Sequence, residues 1–77
     1  MPEPSIWHLL VSHVVSAARY DERTQTLRVR FTNGRTYKYF DVPPHVFDEF
    51  LDPEDGSHGR YFNDEIRDAF DYQDLTP

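Results

Sequence analysis

Leu27-Arg28-Val29-Arg30-Phe31-Thr32-Asn33-Gly34-Arg35-Thr36-Tyr37-Lys38-Tyr39-Phe40 is the stretch that decides the fold. Apolar residues alternate with arginines up to Phe31, Asn33-Gly34 supplies a turn, and a second strand-like run continues to Phe40, which is the pattern of a β-hairpin. Two registers are open. A two-residue Asn33-Gly34 turn pairs Thr32 with Arg35, Arg30 with Tyr37 and Arg28 with Tyr39, so both tyrosines share the arginine face. A three-residue loop, Thr32-Asn33-Gly34, is a type I turn closed by a glycine bulge and pairs Phe31 with Arg35, Val29 with Tyr37 and Leu27 with Tyr39. The second register is preferred. It collects Leu27, Val29, Phe31, Tyr37 and Tyr39 on one face and leaves Arg28, Arg30, Thr36 and Lys38 on the other, and a slip of one residue would exchange the two sets.

Upstream of the hairpin, Val14 to Tyr20 is compatible with a strand, and the polar turn Asp21 to Gln25 joins it to Thr26 as a third antiparallel strand. Downstream, Val42-Pro43-Pro44 stops the sheet. A proline at the first helical position then introduces Val46, Phe47, Phe50 and Leu51, one apolar helical stripe that Pro53 ends. After a loop from Glu54 to Gly59, Asn63 is placed to cap a second helix, with Asp64 and Glu65 in its first turn and Phe62, Ile66, Ala69 and Phe70 toward the core. The expected architecture is α+β, a three-stranded antiparallel sheet followed by two helices packed on one face in the order β-β-β-α-α. Residues 1–10 read as an N-terminal extension, 11–70 as the domain and 71–77 as a frayed C-terminal tail.

Seventy-seven residues make one small domain, and an aromatic content of 16% marks it as folded, since large rings bury much area per residue. The absence of cysteine excludes disulfides and thiolate metal sites. The most apolar stretch, Ile6 to Val15, is interrupted by His8, Ser12 and His13, so neither a membrane span nor a signal peptide is expected, and the expected location is the cytoplasm. The net charge of −6 is unevenly spread. Residues 19–38 hold six basic side chains against two acidic ones, whereas residues 41–77 hold eleven acidic against two basic. The chain therefore carries two electrostatic sides.

No phosphate-binding loop, dinucleotide glycine fingerprint, serine elbow or cysteine nucleophile is present. His8, His13, His45 and His58 are scattered without metal-ligand spacing, and the acidic Asp52-Pro53-Glu54-Asp55 lacks the alternation of a calcium loop. No catalytic residue, metal or cofactor is assigned. Gly56-Ser57-His58-Gly59 before Arg60 is the one loop able to expose amides to an anion, with Ser57, Gly59 and Arg60 as candidate contacts, although Glu54, Asp55, Asp64 and Glu65 surround it.

Taken in order, Tyr20-Asp21, Leu27-x-Val29-x-Phe31, Asn33-Gly34, Tyr37-Lys38-Tyr39, Val42-Pro43, Gly56-Ser57-x-Gly59-x-Tyr61-Phe62-Asn63 and Ile66-Arg67 resemble the KTSC domain family over residues 11–70. That family is named from the C-terminus of some lysyl-tRNA synthetases and also occurs as short bacterial and phage proteins. The resemblance implies a domain for which RNA binding has been suggested and brings no catalytic residue with it. The expectation is a non-enzymatic binding module with RNA as the candidate partner. Arg28, Arg30, Arg35 and Lys38 would contact phosphates, and Tyr37 or Tyr39 would stack a base if the two-residue turn holds. The alternative is a protein-interaction or regulatory module with no nucleic-acid ligand.

Overall fold

The computed structural model describes residues 6–76; residues 1–5 of the expected N-terminal extension, and Pro77, lie outside the described residues. The hairpin forms in the preferred register. Strands β3 (Thr26–Phe31) and β4 (Thr36–Tyr39) follow β1 (His8–Leu9) and β2 (Val15–Asp21), with Leu27 opposite Tyr39, Val29 opposite Tyr37 and Arg28 opposite Lys38. Gly34 donates its N–H to the Phe31 carbonyl at 3.0 Å with φ +91°, which is the left-handed position the bulge requires and a side chain would strain. Asn33 fixes the turn by accepting the Arg35 N–H on its Oδ1 at 3.0 Å. Between β2 and β3 the chain turns as the polar segment predicts, with Asp21 opposite Thr26 and the Asp21 carboxylate accepting the Arg23 N–H.

Helix α1 (Pro44–Leu51) begins with proline at its first position and buries Phe47 and Phe50. Pro53 follows two residues after its end. The second helical segment differs from expectation. Helix α2 (His58–Tyr61) is capped by Ser57, whose Oγ accepts the Arg60 N–H at 3.1 Å, and it runs directly into a π-helical turn (Phe62–Ile66) in which the Arg67 N–H reaches the Phe62 carbonyl. Asn63 therefore lies inside the helical segment, not at its cap, because Gly56 at φ +77° already turns the chain and leaves Ser57 extended ahead of it. The wider π turn points Phe62 and Ile66 inward and leaves Ala69 exposed, contrary to the simple helical spacing.

The sheet is a correction to the expected three strands. Among the described residues it is five-stranded and antiparallel, in the order β1-β2-β3-β4-β5, with β5 (Tyr72–Asp74) formed by the segment expected to fray. Neither added strand has an alternating apolar pattern long enough to announce itself. β5 forms because β4 carries the buried Tyr39 and would otherwise expose its polar edge beside it. The Phe40 N–H donates to the Asp71 carbonyl at 2.9 Å and the Leu75 N–H to the Thr36 carbonyl at 2.8 Å, which close that edge. A bulge at Ser16 shifts the β2–β3 register between Val15 and Ala17.

Both helices cover the same face of the sheet. Its core comprises Val15, Ala18, Leu27, Val29 and Tyr39 from the strands and Val42, Phe47, Phe50, Phe62 and Ile66 from the segment that follows. Rings dominate the packing: Tyr20 stacks on Phe47 at 4.9 Å, and Phe62 meets Phe31 and Tyr39 edge-on at 5.1 and 5.7 Å. Among the described residues, the other face carries none of the helices.

Candidate functional site

Strand pairing lines up the cations on the uncovered face. Arg19 lies opposite Arg28, Arg28 opposite Lys38, and Lys38 opposite Gln73, so three positive side chains form a row across β2, β3 and β4. Like charges directly opposite one another on a sheet repel. Arg30 adds a fourth charge one pleat away, and among the described residues none of the four lies within 4.0 Å of a carboxylate. The Nε of Arg19 is buried without a hydrogen-bond partner among the described residues. Two rings border the row: the Arg30 guanidinium sits 4.3 Å from the centre of Trp7, and the Lys38 ammonium 5.3 Å from that of Phe40. Ala17, which pairs with both Leu9 and Arg30, is only 1% exposed beneath these long side chains.

Of the residues that sequence singles out, Arg28, Arg30 and Lys38 meet here. Tyr37 and Tyr39 are on the opposite, helix-covered face, as the three-residue turn dictates. Arg35 also leaves the row; it closes the hairpin beyond Tyr37 and is paired with Asp74 at 3.5 Å. Arg19, Trp7 and Phe40 were missed. Arg19 was within reach of a residue count, because a four-residue turn between Asp21 and Thr26 sets Arg19 against Arg28, whereas the two-residue strand that carries Trp7 toward the sheet has no such signal.

The glycine loop holds its three candidates in local contacts. Ser57 caps α2 and donates its own N–H to Asp55, Arg60 is paired with the Asp55 carboxylate at 3.4 Å, and Gly59 packs so closely that a Cβ there would come within 3.4 Å of Ser12 Oγ and Val14. Two of the amides in this turn are thus already engaged by Asp55 and Ser57.

A cleft of about 570 Å³ opens on the helix side, where Phe31, Tyr37, Tyr39 and Tyr72 from the sheet meet Phe62, Asn63 and Arg67. Tyr37 and Tyr72 are stacked at 5.1 Å with their planes 10° apart. Burial pushes the Tyr39 phenol well above the ordinary tyrosine range, the neighbouring Tyr37 and Tyr72 hydroxyls add to this, and Arg67 opposes it. Several residues that carry the family resemblance therefore line one concavity.

The model of the KTSC domain matches residues 11–70. The chain belongs to the KTSC domain family. Its fold is shared with a crystal structure of a KTSC domain protein from Yersinia pestis, at a TM-score of 0.83 and 25% identity, covering 92% of this chain and 97% of that one. A protein of Tsukamurella paurometabola is 46% identical over 59 residues, 77% of this chain and 85% of its own length. A lysine–tRNA ligase of Nostoc punctiforme is 38% identical over 63 residues, which are 82% of this chain and 11% of the ligase.

Proposed function

We propose that this KTSC domain is a non-enzymatic module that binds single-stranded RNA on the uncovered face of its sheet. The observation that carries the reading is the row Arg19–Arg28–Lys38, like charges set against one another with no carboxylate within 4.0 Å among the described residues. Phosphates spaced along a strand relieve that repulsion, and Trp7 and Phe40 offer ring faces to unstacked bases. The likeness to a domain of lysine–tRNA ligases, proteins named for a transfer RNA, agrees with this ligand. The predominantly acidic helical side disfavours an extended phosphate strand there, which leaves the sheet face to the RNA backbone.

Fluorescence anisotropy with a short labelled RNA tests it. Binding is expected at about 50 mM salt and weakens as salt rises, with a logarithmic slope near −2 to −3 for about three or four phosphates on a single strand. Arg28→Glu places a carboxylate between Arg19 and Lys38, so it relieves the row, keeps the fold and abolishes binding. RNA bound equally well by that variant, or no binding by the wild type, would overturn the reading and move the basic face to an acidic protein partner.

A further inference from the structure

We propose that the cleft on the helix side is a second binding site, for a flat heterocycle bearing an anionic group, the chemistry of a mononucleotide. Its volume of about 570 Å³ falls within the range of small-molecule sites. Three features define the ligand. Tyr72 is 55% exposed and held parallel to Tyr37, so it presents a fixed ring surface on which a planar group stacks. Arg67 has no carboxylate within 4.0 Å among the described residues, and its Nη1 is held at 3.1 Å by Asn63 Oδ1, which orients the remaining N–H groups for an anion. Arg35, by contrast, is already neutralised by Asp74.

The third feature is Tyr39. It lines the cleft, and its hydroxyl, which is not fully enclosed, has no hydrogen-bond partner among the described residues. A heterocycle edge supplies one, while the Asn63 amide nitrogen and the Asp68 carboxylate offer a donor and an acceptor to the same ring. A purely apolar ligand would strip water from Arg67 and Asp68 without compensation, and a long polyanion would meet Asp68 and Asp74. The site shares no residue with the basic face, so it stands or falls independently of RNA binding there.

The test is an NMR titration of ¹⁵N-labelled protein with guanosine 5′-monophosphate and, in parallel, guanosine. Saturating shifts are expected at the Arg67 Nε–H, the Asn63 side-chain amide and the Tyr72 amide. Arg67→Ala weakens the monophosphate about tenfold or more, the loss of one charge-assisted contact, and leaves guanosine unchanged. Tyr72→Ala weakens both, and Arg28→Glu neither. Absence of saturable shifts at about 10 mM ligand, where even millimolar affinity is visible, overturns the proposal. So does an equal effect of Arg67→Ala on both ligands. A short RNA with a 5′-phosphate, compared with the same strand ending in a 5′-hydroxyl, identifies the source: the same signals moving only with the phosphorylated strand assign the site to a strand end, and their response to the free nucleotide alone assigns it to the metabolite. Either result supports the site.

Discussion

The core tyrosine Tyr39 and the partly buried Tyr20 do different work, and substitution separates them. Tyr20 donates its hydroxyl to the Val42 carbonyl, tying the end of the sheet to the start of the helical segment, whereas the Tyr39 hydroxyl is without a partner among the described residues. Tyr20→Phe is expected to cost about 1 kcal/mol, the net worth of one hydrogen bond plus the orphaned carbonyl. Tyr39→Phe is expected to be close to neutral, and Tyr39→Ala to cost about 3 kcal/mol or more, because it empties a site against Phe62, Tyr37 and Tyr72. Urea midpoints at constant m-value measure all three. A costly Tyr39→Phe would reveal a hydroxyl contact that the packing does not contain.

At the level of elements, β5 shows what pattern reading can and cannot reach. The hairpin register was legible because Leu27, Val29 and Phe31 alternate with arginines and only one turn segregates them; α1 was legible because Phe47 and Phe50 repeat at helical spacing after a proline. β5 was not, since Tyr72-Gln73-Asp74 is polar and its strand geometry comes from pairing with β4, a contact distant in sequence. The same division runs through the sites: Arg28, Arg30 and Lys38 follow from alternation within one hairpin, whereas Arg19, Trp7 and the walls of the cleft depend on which strands become neighbours. Ending the chain at Phe70 removes the backbone partners of Thr36 and Phe40 and the ring stacked on Tyr37. The expected outcome is a folded but less stable domain in which the Phe40 amide exchanges with solvent much faster than the Val29 amide. Unchanged protection of Phe40 would mean that β4 does not need its neighbour.

For the molecule as a whole, alkaline pH should loosen what burial has built. The phenols of Tyr20, Tyr39 and Tyr61 are all raised, first by desolvation; for Tyr61 its donation to Glu49 adds to the effect, and for Tyr20 nearby carboxylates do. A phenol whose folded pKa exceeds its unfolded value of about 10 contributes fully below that pH, and its contribution is lost as pH rises toward the folded value. Stability in urea is therefore expected to be level between about pH 7 and 9, below the range in which tyrosine ionises, and to decline above about pH 10. Tyr39→Phe should shallow that decline. An equal decline in the variant would assign the alkaline loss to other groups.

The strands lie in the sheet in the same order as they occur along the chain, but the last pairing is unlike the others. β2, β3 and β4 are joined by tight turns, so their contacts form with little loss of chain freedom, while β5 reaches β4 only after the whole segment from Phe40 to Asp71 has closed into a loop. Folding should accordingly begin in the three central strands and end with the docking of Tyr72. Because Tyr72 is also a wall of the cleft, the chain assembles its concave surface in the final step, and the first fluctuation away from the native state takes that surface apart again while the basic face on the other side stays whole.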